Sequence, residues 1–333
     1  MQSTFKVSRL FFVKNHKKSL DFSKKTTLLS LSFSFMKMTG FPSILSAEQG
    51  FLGLEEASSY ETSKVVVVPF GLESSVSYEG GTKNGPQATI AASHQVELFD
   101  DELWCEPYKT FPLCTLKEPK ISENLNKEID NLEKIIQKIL DDGKFPLTIG
   151  GEHSITIGTI KPFARKYNDL TILHFDAHAD LRQEYNNEPN SHACALRRCL
   201  DFPHVKLVSY GIRNISVGEI PFLEENSHRI KINWARTKSE WNLEEDLKWF
   251  KGRNVYLTFD VDGFDSSVMP ATGTPEPGGL FWNDVLPIIK SVTKVSNVVG
   301  ADINELAPKP NLHFCDFLTA KLAYKILSYK FCL

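Results

Sequence analysis

Residues 171–180 read TILHFDAHAD, and this stretch limits the possible folds more than any other. Its first half, residues 171–175, is apolar and rich in β-formers, so the pattern predicts a buried strand. The strand runs directly into Asp176, His178 and Asp180. At a spacing of two, an extended backbone would point all three to one side. Two carboxylates and an imidazole at the end of a buried strand are costly unless they are paired or hold a cation. The expectation is therefore a metal site, with the rest of the chain supplying further ligands and a pocket.

That rest alternates strand-like and helix-like patterns. Residues 64–69 (KVVVVP) predict the first core strand. Residues 71–86 predict a Gly-bearing loop, 88–98 a helix, and 104–119, with three prolines, irregular chain. From Ser122 an amphipathic helix is expected: Leu125, Ile129, Leu132, Ile135, Ile136, Ile139 and Leu140 recur every three or four residues, and Gly143 suits the stop. Residues 145–149 predict a strand that ends in Gly150, Gly151, Glu152, His153 and Ser154, where two glycines permit a sharp turn. Helices are further expected at 155–167, 193–200, 243–250, 281–295 and 316–329, and strands at 205–210, 255–259 and 297–301. The strand at 255–259 runs into Asp260 and Asp262. Residues 215–247 are polar and carry little pattern before the helix at 243.

Strands alternating with helices predict a three-layer α/β/α domain around a central, mostly parallel sheet. In such sheets ligands bind beyond the carboxyl ends of the strands. His153, the Asp176 group and the Asp260 pair all follow apolar strands. No repeat or linker divides the chain, so residues 38–333 are expected to form one domain.

Residues 1–37 differ in character. They carry eight Lys or Arg and one acid, and because the whole chain sums to −3, the remainder stands at −10. An acidic body argues against nucleic acid as a partner and suits a small cationic ligand. The apolar run at 28–36 is too short to span a bilayer, so no membrane partner is expected. The basic extension is read as a mis-assigned start, with Met36 or Met38 as the true one; an organellar transit segment is the alternative. The six cysteines, Cys105, Cys114, Cys194, Cys199, Cys315 and Cys332, form no CxxC pair, so free thiols and a cytoplasmic setting are expected.

The candidate ligands are His153, Asp176, His178, Asp180, Asp260 and Asp262, four carboxylates and two imidazoles without a thiol. Such hard donors favour Mn²⁺ or a similar ion over structural zinc. Six protein ligands exceed what one catalytic ion needs. They suit two ions sharing carboxylates, which together lower the pKa of a water.

Three segments carry a resemblance: GGEHS at 150–154, DAHAD at 176–180, and FDVDGFD with TGTPEPGG at 259–265 and 272–279. Together with PFGLE early and DINELAP late, they resemble the ureohydrolase (arginase/agmatinase) family from about residue 51 to residue 327. Glu152 and the Ser191-His192-Ala193 segment are the agmatinase-like forms. Ser266 and Ala271 depart from common family residues, and neither is a ligand position.

The resemblance implies two Mn²⁺ per chain. His153, Asp176, Asp180 and Asp260 would hold one, and Asp176, His178, Asp260 and Asp262 the other. It places His192 as a proton shuttle and Glu276 against the substrate guanidinium, with Asp180 moving a proton toward the leaving nitrogen. The expected reaction is hydrolysis of agmatine or a close analogue to urea and an amine, putrescine for agmatine. Guanidinobutyrate, aminopropylagmatine and arginine are rival substrates. A metal-dependent deacetylase and an inactive relative are rival classes. Relatives of this kind are commonly trimers or hexamers, so a homo-oligomer is expected. His174, inside the strand, is read as a core residue that supports the ligands.

Overall fold

A computed structural model describes residues 41–56 and 58–333. The extension at 1–37 therefore lies outside the described residues.

Eight strands form one sheet: β1 (Val65–Phe70), β2 (Leu113–Thr115), β3 (Phe145–Gly150), β4 (Thr171–Phe175), β5 (Lys206–Ile212), β6 (Ile230–Trp234), β7 (Asn254–Asp260) and β8 (Asn297–Asn304). Their spatial order is β2-β1-β3-β8-β7-β4-β5-β6, and every pairing between them is parallel. The expected parallel architecture is present and, among the described residues, the sheet carries no antiparallel strand. Two prolines sit where the ladder can spare an N–H. Pro69 lies beyond the last β1 residue paired with β2, and Pro146 precedes the first β3 residue paired with β8.

The helices are α1 (Gly85–Ser93), α2 (Leu125–Asp141), α3 (Ile155–Lys166), α4 (Ala195–Cys199), α5 (Ile220–Glu225), α6 (Leu243–Leu247), α7 (Trp282–Val295) and α8 (His313–Cys332). Strand side chains alternate between faces. Val65, Val67, Leu173 and Phe175 pack with residues of α1, α7 and α8 in one apolar cluster. Val66, Val68 and Ile172 pack with residues of α2, α3 and α4 in a second. The two clusters lie on opposite faces of the sheet, which makes the third layer. No helix among the described residues is long and apolar enough to cross a membrane.

Several boundaries differ from the sequence pattern. Helix α2 begins at Leu125, because Asn124 caps it by accepting Lys127 N–H at 3.0 Å. The Ser122 hydroxyl is instead bonded to Glu128. Helix α1 starts before residue 88, and α8 extends from His313 to Cys332. Strand β8 runs three residues past the expected end, to Asn304. Two strands were not anticipated, β2 within the proline-bearing segment and β6 within 215–247; they are the two edges of the sheet.

The strand order explains the placement of the site. The chain fills β1 to β3 on one side, then crosses to β4, and β7 and β8 later occupy the gap. Ligands in open parallel sheets bind where successive connections diverge. The four central strands, β3, β8, β7 and β4, deliver His153, Glu305, Asp260 and Asp176 to that edge.

Candidate metal centre

The turn after β3 needs glycine. A Cβ on Gly151 would stand 2.0 Å from Leu72 O, so no larger residue lets the backbones pass. His153 follows and is fully buried. Its Nδ1 lies 3.0 Å from Asp180 Oδ2, 3.1 Å from Asp176 Oδ2 and 3.5 Å from Asp260 Oδ2. His178 Nδ1 lies 3.0 Å from Asp262 Oδ2 and 3.5 Å from Asp176 Oδ1. Asp176 thus faces both imidazoles, one from each of its oxygens. All six residues expected to bind metal are brought together.

Their convergence does not come from an extended strand. Strand β4 ends at Phe175, and Asp180 has φ 52°, in the left-handed region. A non-glycine residue there is strained and persists only when its surroundings hold it. The period-two argument therefore picked residues that do converge, but through a backbone geometry the structure does not have. The loop is instead tied from outside: Asp262 Oδ1 accepts Ala177 N–H at 3.0 Å, and Asp176 Oδ1 accepts His178 N–H at 2.5 Å.

Behind the centre, His174 Nε2 is 2.9 Å from Asp176 Oδ2 and its Nδ1 is 2.9 Å from Ser209 Oγ, the supporting position expected of it. A second support runs through β7 and β8. The buried Asp302 carboxylate accepts Thr258, Tyr256, Thr156 and Thr159 hydroxyls and the Asn304 amide. Because Thr258 donates its hydroxyl proton to Asp302 at 2.6 Å, its oxygen accepts from His153 Nε2 at 2.9 Å. Neutral His153 then presents a bare Nδ1 lone pair to three carboxylates, and that buried atom has no hydrogen-bond partner. Lone pair facing lone pairs in a dry site is repulsive without a cation among them. The residues fit a metal.

The titration behaviour agrees. On the protein's own charges, burial opposes ionising His153, yet Asp176 and Asp180 outweigh it and hold its pKa well above the usual range. Burial also opposes a charge on His178, but Asp262 and Asp176 push its pKa up to about 12. Burial together with Asp176 raises Asp180 to about 7. Burial, Asp262 and Asp176 raise Asp260 as well. Asp176 is driven the other way, since its histidine neighbours outweigh its burial. In all of these groups, protons are redistributed to do the work of a shared cation.

The centre opens into a cleft of about 230 Å3. His192 and Glu276 line it without touching His153 or Asp176. His192 Nδ1 is 3.2 Å from Ser75 Oγ. Glu276 sits at the rim, one-third exposed, where its Oε1 accepts Asn214 Nδ2–H at 2.7 Å and stands 3.9 Å from His178 Nε2. Two members of the site carried no assignment in the sequence. Glu305, at φ 66° and 7% exposed, comes from the carboxyl end of β8 and accepts His153 N–H at 2.6 Å on Oε1. Ser75 comes from the loop after β1. Glu305 had a usable signal, an acid after an apolar strand within DINELAP; Ser75 had none.

Comparison with known proteins places this geometry. A family model described as the Arginase family matches residues 63–330. The chain is 35% identical over 295 residues to the N(1)-aminopropylagmatine ureohydrolase of Synechocystis sp., covering 85% of this chain and 94% of that one. It is 35% identical over 268 residues to the agmatinase of Bacillus anthracis, covering 79% and 90%. Among solved structures, the agmatine ureohydrolase of Thermoplasma volcanium superposes with a TM-score of 0.73 at 29% identity, over 82% of this chain and 92% of that one. The chain belongs to the arginase family.

Proposed function

We propose that the protein hydrolyses the guanidinium group of agmatine or a close analogue, releasing urea and an amine, putrescine for agmatine. The observation that carries this reading is Asp176, whose two oxygens face two separate clusters of ligating groups. That arrangement supports two ions. One would be held by His153, Asp176, Asp180 and Asp260, the other by Asp176, His178, Asp260 and Asp262. The all-oxygen and imidazole donor set favours Mn²⁺ for both. When bound, such a pair supplies an activated water and polarises the carbon it attacks.

The chain's own residues would do the rest. Glu305 is the better placed partner for a guanidinium. Its Oε1 is fixed by His153 N–H, while Oε2 accepts no hydrogen bond from the described residues. Glu276, expected in that role, already accepts Asn214 and lies at the rim, where it suits the cationic tail of the substrate. Asp180 stands beside the bare Nδ1 of His153 and can take a proton from the reacting water. His192, in the cleft wall, can pass protons to the departing amine. An aminopropylagmatine substrate is the second reading, favoured by the likeness to the Synechocystis sp. protein.

We further propose a homo-oligomer, trimer or hexamer, located in the cytoplasm, whose catalytic domain is residues 38–333. The deciding experiment is urea release with added Mn²⁺ from agmatine, aminopropylagmatine, guanidinobutyrate and arginine. Agmatine or aminopropylagmatine should be preferred, and no urea from any of the four would refute the proposal. Full activity with one zinc per chain would instead overturn the two-ion reading. Asp176→Ala and Asp260→Ala should each lose bound metal by elemental analysis, whereas His192→Ala should keep both ions and lose rate.

A further inference from the structure

Glu152 is fully buried and has no cationic partner among the described residues. Four donors hold it instead. Ser74 N–H at 2.8 Å and Ser75 N–H at 2.7 Å reach Oε2, and the Ser75 and Ser154 hydroxyls reach Oε1 at 2.8 and 2.6 Å. A carboxylate saturated in this way only accepts, and a hydrogen bond to it is stronger than one to a neutral ring nitrogen. The single hydroxyl proton of Ser75 is therefore committed to Glu152.

The same Ser75 oxygen has two other neighbours, both from His192. The His192 backbone N–H donates to it at 2.9 Å, and the ring Nδ1 lies 3.2 Å away. With the hydroxyl proton spent, Nδ1 has to bring the hydrogen to this contact. In a neutral imidazole the lone pair then sits on Nε2. No described residue hydrogen-bonds to that atom, and His192 lines the cleft together with Asp180 and Glu305. The Tyr185 ring packs edge-on to the imidazole, with centroids 6.1 Å apart, and limits its rotation.

We propose that Glu152 and Ser75 form a positioning relay that holds His192 as the Nδ1–H tautomer and presents Nε2 to the cleft as the atom that takes up and hands on protons. This rests on reading His192 as the residue that moves protons in guanidinium hydrolysis. It explains why a carboxylate is buried beside the centre without a cation of its own: its partner is a hydroxyl that must not donate to the ring. Backbone and side chain of His192 are gripped by one oxygen, so the ring plane and the tautomer are set together.

Kinetics and neutron diffraction test it. Ser75→Ala should lower kcat roughly ten- to a hundredfold, with KM and metal content held within about twofold. Ser75→Thr, which keeps the hydroxyl, should recover most of the rate. In a His192→Ala background, Ser75→Ala should change kcat by less than about twofold, because the relay has nothing left to position. An equal loss in both backgrounds would place Ser75 in some other role and overturn the proposal. So would a Ser75→Ala enzyme with undiminished kcat. Neutron diffraction of the metal-loaded wild-type protein at mildly alkaline pH should find a deuteron on His192 Nδ1; a deuteron on Nε2 alone would overturn the proposal even if the Ser75 variants failed to fold. The deuteron position needs no substrate, so it separates failure of the relay from failure of the proposed activity.

Discussion

His153 concentrates the chemistry of this centre in one ring. Its backbone N–H is taken by Glu305, its Nε2–H by Thr258, and its Nδ1 faces Asp176, Asp180 and Asp260. Thr258 therefore decides which nitrogen is free to bind an ion. Thr258→Ala leaves Nε2–H without its acceptor and lets the tautomers mix, so metal affinity should fall about 10- to 100-fold. Metal titration of the stripped protein would check this, with the fold unchanged by circular dichroism. Unaltered affinity would show that Thr258 does not set the tautomer. The six candidate ligands, which the structure brings together, could be picked out in the sequence because each follows an apolar run and each is a metal-capable type. Thr258 and Ser75 could not, because a hydroxyl in a loop or strand looks the same whether it orients a histidine or simply packs. Glu276 and Glu305 show a related limit. Both are acids in loops after strands, and only the fold tells that one is deep and the other at the rim.

At the scale of the element, the glycine end of the loop at 270–279 is pinned by the Asp265 side chain. Asp265 Oδ2 accepts Gly278 N–H at 2.7 Å and Gly279 N–H at 2.8 Å, and its Oδ1 accepts the Ser267 hydroxyl and N–H. These bonds, the Ser267 hydroxyl first, outweigh partial burial and hold its pKa at about 2, below the ordinary 3.8. A carboxylate depressed in this way stabilises the fold fully above its unfolded pKa, and that stabilisation disappears as pH falls from about 3.8 to about 2. Asp265→Asn should therefore be less stable than wild type at neutral pH, and the difference in Tm should close across that acid window. A constant difference down to pH 2 would contradict the assignment. The same variant loosens the loop that carries Glu276, so KM for a cationic substrate should rise more than kcat falls.

Helix α2 shows what periodicity reads well. Its apolar stripe predicted burial, and Leu125, Ile129, Leu132, Ile135, Ile136, Ile139 and Leu140 are all buried. Ile136→Ala should cost about 2–5 kcal/mol, read from denaturant unfolding, as a large-to-small change in a closed core. The edge strands read badly for physical reasons. Strand β2 has only three residues, and in β6 Lys231, Ile232 and Trp234 are all half-buried, which erases the alternation a pattern needs.

For the whole molecule, the metal proposal makes stability and loading one problem. Ions that bind only the folded chain stabilise it by mass action, about 2.7 kcal/mol when free ion stands 100-fold above Kd. Treatment with a chelator should therefore lower Tm, and Mn²⁺ should restore it. Protons compete for the same atoms, because Asp180 is raised to about 7 and His178 to about 12 on the protein's own charges. Binding an ion releases those protons, so affinity should increase as pH rises from 6 to 8. Affinity independent of pH across that range would argue that the ion binds elsewhere.

The strand order sets a timetable for synthesis. Strands β1 to β3 and β4 to β6 emerge first, yet in the finished sheet they are separated by β7 and β8. His153 and Asp176 leave the ribosome more than 80 residues ahead of Asp260, and Glu305 later still. Such non-local pairing is slow to form and exposes unpaired strand edges meanwhile. Until β7 and β8 insert, the nascent chain carries His153 on one unjoined sheet and Asp176, His178 and Asp180 on the other. Loading with metal would thereby be confined to the end of folding, and a chain cut short before β7 would hold two candidate histidines, His153 and His178, and two aspartates, Asp176 and Asp180, with no means of closing around an ion.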